Sequence, residues 1–157
     1  MSDPQHTDSM APPDPRRHNT SEHKTGTSEA RGSGAGVSAG PRRVVHLELH
    51  TGDLPAASLF YSRLLGWRPE WVDTRAGSYF AVGTGGEVGA GIVQCATDRP
   101  LWLPYVEVER IDEVTELARR LGAPVSLEPR EGPAGWRSVV TVPDGGEIAL
   151  WQPKEWR

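Results

Sequence analysis

The sequence predicts an α+β domain made of two βαβββ repeats, whose mostly antiparallel sheets curl around a cavity with the helices on the outer face. Short runs of alternating apolar residues indicate strands, and two longer runs with helical spacing indicate helices. Leu65-Gly66 and Leu121-Gly122 end the two helical runs, 56 residues apart (122 − 66 = 56). The order strand, helix, strand, strand, strand is found around each of these two helices, so the chain contains an internal repeat.

The first repeat begins with a strand that has two chemically different faces. His46, Glu48 and His50 alternate with Leu47 and Leu49. Successive side chains of a strand point to opposite faces of the sheet. The strand therefore has one apolar face and one titratable face.

A helix follows this strand over residues 54–65. Asp53 is a favourable N-cap, Pro55 falls in the first turn where its missing N–H costs little, and Gly66 is a favourable stop. The helix is expected to pack on the face of Leu47 and Leu49. His46 and Glu48 must then point the other way.

The remaining elements complete the two repeats. Gly83 to Gly86 precede a strand rather than a helix, so they predict a turn and not a phosphate-binding loop. The predicted strands of the first repeat span residues 70–74, 78–82 and 87–94. The second repeat is predicted as a strand over 102–108, a helix over 111–121, a strand over 125–128, a loop over 129–135, and strands over 136–142 and 147–151.

The first 40 residues differ in composition from the rest of the chain. They contain no aromatic residue, Ile or Leu. Such a segment buries too little apolar area to offset its ordering entropy, so residues 1–40 are predicted to be a disordered N-terminal tail. Residues 41–157 form the predicted domain, with repeats at about 43–97 and 101–153.

Charge and composition exclude several classes of partner. The 157 residues carry a formal net charge of −4, and the sequence pI is about 5.7. This balance argues against nucleic acid and against an acidic membrane surface as partners. No apolar run approaches the roughly 20 residues that span a bilayer, and the N-terminus has no apolar signal region. Cys95 is the one cysteine, so no intrachain disulfide is possible and a cytoplasmic location is expected.

Three segments resemble the vicinal oxygen chelate superfamily, which contains glyoxalases, bleomycin-resistance proteins and extradiol dioxygenases. They are HTGDLPAASLFYSRLLGW, YVEVERIDEVTELARRLGAPV and GPAGWRSVVTVPDGGEIALWQP. The resemblance covers residues 44–153. It implies the same two-repeat fold, a small-molecule site on the faces that the helices leave uncovered, and a homodimer.

The resemblance also implies where a metal ion would bind. Metal-dependent members take one ligand from the first and one from the last strand of each repeat, which here gives His46, Gly91, Leu103 and Ala149. Since three of these positions have no donor side chain, we expect no metal cofactor.

A divalent metal held by other residues is the alternative. His46 and Glu48 could share an ion, with Glu107 of the partner strand as a third ligand. His50 lies about 13 Å from His46 along the strand and is expected to be solvated. Glu48 and Glu107 could also act as paired carboxylates in general acid–base catalysis. Cys95 has no His or other basic neighbour in sequence, so it is not expected to be a nucleophile.

Aromatic residues predict the character of the site. Alternation places Tyr105 with Leu103 and Trp151 with Ala149 on the cavity face, and aromatics with a few polar groups are typical of small-molecule pockets. We expect a flat ligand between Trp151 and Tyr105, oriented by His46 and Glu48. The full set of predicted ligand-binding residues is His46, Glu48, Val93, Leu103, Tyr105, Glu107 and Trp151.

Three functions remain open from the sequence. The first is a metal-free module that binds a small aromatic or apolar metabolite or drug. The second is a glyoxalase- or dioxygenase-type enzyme that uses His46 and Glu48 with a metal or as acid–base groups. The third is a protein whose pocket has been lost and whose surface binds a partner. The absent ligands and the aromatic cavity face favour the first.

Overall fold

The computed structural model describes residues 40–74 and 77–154, so residues 1–39 of the predicted tail at 1–40 lie outside the described residues. The described part contains two helices and eight strands in the predicted order. Their bounds are β1 Val44–Thr51, α1 Leu54–Leu65, β2 Arg68–Thr74, β3 Gly77–Gly83, β4 Gly89–Gln94, β5 Leu101–Glu107, α2 Ile111–Arg120, β6 Val125–Glu131, β7 Gly135–Thr141 and β8 Glu147–Pro153.

All eight strands belong to one sheet, in the order β2-β3-β4-β1-β5-β8-β7-β6. The pairs β1·β4 and β5·β8 are parallel, and the other five pairs are antiparallel. The antiparallel pair of β1 and β5 joins the two repeats within the one chain. The predicted α+β class and the mostly antiparallel pairing are therefore confirmed, and the two halves form one continuous sheet.

Helix α1 forms as its sequence predicts. The Asp53 side chain accepts a hydrogen bond from the Ala56 N–H at 3.0 Å. Gly66 ends the helix with a φ of 69°, a conformation that glycine adopts without steric cost. Leu54 packs with Leu49 and Ile92 in a buried cluster on the helix-covered face of the sheet.

Each helix is also held by a glutamine at the end of its own repeat. The Leu54 N–H donates to Gln94 Oε1 at 3.0 Å, and the Ile111 N–H donates to Gln152 Oε1 at 2.8 Å. The first N–H groups of a helix have no partner within the helix, so these side chains satisfy them. The two glutamines occupy equivalent places in the two repeats.

The loop predicted over residues 129–135 is wrong in its first part. Strand β6 continues through Pro129 to Glu131. β6 is an edge strand that pairs only with β7, and an edge tolerates a proline because one side of the strand needs no ladder hydrogen bond. Within residues 40–74 and 77–154, neither helix is long and apolar enough to cross a bilayer.

Candidate functional site

The predicted site residues lie on the face of the sheet opposite the helices, which we call the uncovered face. His46 of β1 is opposite Tyr105 of β5, and Glu48 is opposite Leu103 and Gly91. Directly opposed residues share a face of the sheet. Since Leu47 and Leu49 pack in the cluster beneath α1, His46 and Glu48 point away from that helix as predicted.

Glu48 is the centre of a buried polar network. Its side chain is 3% exposed. Glu48 Oε1 lies 2.6 Å from His50 Nε2 and accepts a hydrogen bond from the Tyr105 hydroxyl at 3.2 Å. Arg137 Nη1 donates to the same hydroxyl at 3.3 Å. These four residues, here called the Glu48 network, supply the partners that a buried carboxylate needs to offset its loss of water.

The position of His50 differs from the expectation of a solvated strand end. Its side chain is 18% exposed and contacts Glu48. Same-face neighbours in a strand are about 6.5 Å apart, a gap that two long side chains can close. His50 lies about 13 Å from His46 along the strand, but it is only one same-face step from Glu48.

His46 is a buried ring above two glycines. Its Nδ1 lies 3.0 Å from the point where a Cβ at Gly89 would sit, and its Nε2 lies 3.4 Å from the equivalent point at Gly91. The ring also meets Tyr105 edge to face, with centroids 5.4 Å apart. The absence of side chains at the two glycines thus leaves room for the imidazole.

The buried setting determines the charge state of His46. Burial lowers the pKa of His46 to about 4, and the nearby Glu48 carboxylate only partly opposes this effect. The imidazole is therefore neutral at pH 7. A neutral imidazole offers one donor and one acceptor nitrogen.

Tyr105 and Trp151 form the apolar part of the uncovered face. They are 0% and 2% exposed, and their rings meet edge to face with centroids 6.5 Å apart. The six-membered ring of Trp151 also lies against Gly135, where an added Cβ would come within 2.7 Å of it. Because the two rings contact each other, a ligand between them would have to push them apart.

Burial and the charge of Glu48 also affect the neighbouring phenols and the thiol. Both raise the pKa values of Tyr79, Tyr105 and Cys95, with burial the larger cause in each case. These groups remain protonated at neutral pH. A protonated Cys95 thiol is a poor nucleophile, which agrees with the sequence argument.

One predicted residue, Glu107, lies apart from the Glu48 network, whereas Val93 lies beside it. Glu107 pairs with Arg43 at 3.4 Å and is four positions along β5 from Leu103, the residue opposite Glu48. Four strand residues span about 13 Å, so Glu48 and Glu107 do not form the suggested carboxylate pair. Val93 is directly opposite His50 in the β1·β4 pair, so it lies on the uncovered face beside the network, where it packs with Tyr79.

A cavity of about 360 Å³ lies near the start of α2 and not over the Glu48 network. Of the seven predicted ligand-binding residues, only Glu107 lines it. The lining residues are Gly40, Pro41, Arg42, Arg43, Glu107, Val108, Glu109, Arg110, Glu113 and Val114.

The residues present do not fit the metal that the superfamily resemblance implies. Gly91, Leu103 and Ala149 have no donor atom in their side chains, and the His46 ring already lies against the space above Gly91. In the described part of the chain, no three His, Cys, Asp or Glu side chains are grouped closely enough to hold an ion. Glu107 therefore does not join His46 and Glu48 as a third ligand.

Sequence reasoning missed Arg137 and Tyr79 as well as the role of His50. Arg137 is opposite Trp151 in the β7·β8 pair, so the two residues share the uncovered face. Arg137 is two positions from Val139 in strand β7, so the period of two predicts that the two side chains share a face of the sheet. Nothing in the sequence indicates that Tyr79, in another hairpin, lies beside Gly91.

A family model matches residues 43–150, and its description is Glyoxalase/Bleomycin resistance protein/Dioxygenase superfamily. The chain belongs to this superfamily. The predicted resemblance is thereby confirmed for most of the described residues.

Two curated relatives match at 31% identity over 114 residues. Both are named "Putative glyoxylase CFP32", from Mycobacterium bovis and Mycobacterium tuberculosis. The match covers 68% of this chain and 44% of each relative, so the chain spans less than half of their length.

Solved structures share the fold at low sequence identity. Hypothetical protein BH1468 from Bacillus halodurans matches with a TM-score of 0.56 and 12% identity, over 74% of this chain and 97% of that one. Methylmalonyl-CoA epimerase from Mycobacterium tuberculosis gives 0.52 and 16%, over 71% and 88%. The Mn(II)-bound glyoxalase from Novosphingobium aromaticivorans gives 0.52 and 15%, over 74% and 44%. At these identities the likeness establishes the fold alone.

Proposed function

We propose that this superfamily member binds a small aromatic or apolar molecule on the uncovered face, at the Glu48 network and without a metal ion. The observation that carries the proposal is the buried Glu48 carboxylate, which His50 and Tyr105 contact beside the apolar cluster of Leu103, Val139, Ala149 and Trp151. A few polar groups placed in an apolar wall are typical of small-molecule sites. The donor set at the superfamily's metal positions supports the metal-free form.

The buried state of the site affects how a ligand can enter. Tyr105 and Trp151 contact each other, so the ligand binds beside this pair or separates the rings. His50 and Arg137 are partly exposed and mark the accessible side of the network. We therefore propose that the ligand approaches from this side and contacts Glu48 through a polar group.

Native mass spectrometry of the full chain as purified tests for a metal and a retained ligand in one spectrum. One tightly held ion per chain, lost in a His46→Ala variant, would contradict the metal-free proposal. Tryptophan fluorescence quenching by a panel of aromatic metabolites and antibiotics then tests binding.

Glu48→Gln is the informative variant because it removes the charge and keeps the shape. Hydrogen bonds to charged groups contribute about 1.5–3 kcal/mol, so we expect binding to weaken by roughly tenfold or more. Glu107→Gln, on the same face but outside the network, is the matched control and should bind normally. An unchanged dissociation constant in Glu48→Gln would contradict the proposed site. Trp151→Ala is a poor test, because removing a fully buried tryptophan costs about 3–5 kcal/mol of stability.

Acid–base catalysis is the second candidate, and the contact between Glu48 and partly exposed His50 favours it. Glu48 would accept a proton from a bound substrate, and His50 would exchange it with solvent. The curated relatives are named as glyoxylases, and one neighbouring structure holds methylmalonyl-CoA. Incubation with methylmalonyl-CoA in D₂O, followed by NMR, tests for exchange at the α-carbon. Exchange that persists in Glu48→Gln would rule out this role.

A further inference from the structure

Helix α1 has a second apolar face that residues 40–74 and 77–154 leave exposed. Leu59, Phe60 and Leu64 are 51%, 56% and 63% exposed. With Ala56 and Arg63, which are also exposed, they recur at the i, i+3, i+4, i+7 and i+8 spacing of one helix face. We call these five residues the outer stripe.

The outer stripe lies away from the site described above. Leu54 and Tyr61 face the sheet and pack in the cluster that includes Leu49. Their helix therefore covers the face opposite the Glu48 network. Most surface helices place polar residues on the outward side, whereas the one charged residue of α1 is Arg63.

We propose that the outer stripe is the contact surface between two copies of this chain, with the two α1 helices packed antiparallel across a twofold axis. An isologous contact of this kind buries the same patch on both copies. Phe60 and Leu64 of one helix would pack around Ala56 of the other, whose small side chain permits close approach.

The available area is suited to such a contact. An aromatic side chain carries about 150–250 Å² and a leucine lies near the lower end of that range, so these three side chains, each half exposed or more, present on the order of 300 Å². Leu65, 49% exposed, and Pro55 flank the stripe and raise this to about 400 Å². A standard interface buries about 800 Å² per partner, of which roughly 450 Å² is apolar. A contiguous patch of about 400 Å² is comparable to the largest apolar patch of a typical monomer, which is often a functional surface.

Charge supports the antiparallel direction. Arg63 lies in the last turn of α1, and Asp53 is the exposed cap at its start. In an antiparallel pair, Arg63 of one copy approaches Asp53 of the other, whereas a parallel pair brings like charges together. Residues 1–40 are poorly suited to pack on the outer stripe in place of a second copy, because they contain no aromatic residue, Ile or Leu.

Sedimentation equilibrium of the full chain, at protein concentrations up to roughly 100 µM, tests the proposal. This concentration is above the micromolar to picomolar dissociation constants of standard-size interfaces. We expect a dimer for the native sequence and a single-chain mass for Phe60→Glu and for Leu64→Glu. Both side chains are exposed, so the variants should keep the native circular dichroism and thermal midpoint. Leu121→Glu is the matched control: Leu121 is 75% exposed but lies after α2, and its variant should remain dimeric.

A cross-linking experiment distinguishes the stripe from other dimer contacts. Leu59→Cys should form a covalent dimer with a short bis-maleimide, and Leu121→Cys should not, with Cys95 present in both. A native chain that is monomeric throughout, or a Phe60→Glu variant that stays dimeric, would overturn the proposal. So would efficient cross-linking of Leu121→Cys.

Discussion

At the residue scale, glycine positions determine where His46 can lie. Gly89 and Gly91 leave open the space that the His46 ring occupies, and one of them is a ligand position of the metal-dependent superfamily members. A side chain at Gly91 would meet His46 Nε2 at 3.4 Å. Glycine at position 91 therefore supplies no metal donor, and any side chain longer than a methyl group there would compete with the buried, neutral His46 ring for the same space.

The burial of His46 predicts a particular dependence of stability on pH. A histidine with a folded-state pKa of about 4 binds fewer protons when folded than when unfolded, where its pKa is about 6.5. The titration of His46 therefore does not change the free energy of unfolding above about pH 6.5, and it lowers that free energy increasingly as the pH falls towards 4. The loss reaches roughly 3 kcal/mol below pH 4.

Urea unfolding of the native chain and of His46→Asn between pH 4 and 7.5 measures this effect. The variant should show a shallower loss of unfolding free energy over that range, because residue 46 no longer titrates. Parallel curves for the two proteins would show that His46 does not have the depressed pKa.

At the element scale, the two repeats use the same device to fix their helices. Gln94 ends β4 and binds the first N–H of α1, and Gln152 does the same from β8 to α2. In each case a strand and a helix that are far apart in sequence are linked through one side-chain amide. This link fixes the start of the helix relative to the strand beside β1 or β5, and those two strands carry Glu48, His50 and Tyr105 of the Glu48 network.

Replacing Gln152 with alanine should destabilise the fold by about 1 kcal/mol, the typical net contribution of one hydrogen bond, and Gln94→Ala should cost at least as much because Gln94 Nε2 also donates to the Gly52 carbonyl. Glu87→Ala, in the exposed connection between β3 and β4, is the control and should change stability by less than half of that. Chemical denaturation midpoints provide the measurement. A neutral Gln152→Ala would mean that water replaces the side chain at the start of α2.

At the scale of the whole molecule, β1 and β5 form the centre of the sheet and join the repeats. Glu48 and Tyr105 come from these two strands, so the Glu48 network exists only when both repeats are folded together. Residues 1–39 precede this centre, and their only sizeable apolar residues are Met1, Met10 and Val37.

The predicted tail should therefore be dispensable for stability. A truncated protein that begins at Ala39 is expected to unfold at the same temperature as the full chain, because the missing residues have few core-forming side chains. Differential scanning calorimetry makes the comparison. A fall in midpoint of more than a few degrees would indicate that the segment docks on the domain.

The sequence by itself determined the repeat, the element order and the face on which each strand residue lies, since these depend on local periodicity and on caps such as Asp53 and Gly66. It also identified Gly91, Leu103 and Ala149 as positions without metal donors. Only the tertiary structure placed His50 and Arg137 with Glu48, and separated Glu107 from them, because cross-strand register and side-chain reach are not local properties. It also decided that Phe60 faces outward while Tyr61 faces the sheet, because neighbouring apolar residues on a helix are distinguished by what packs against them.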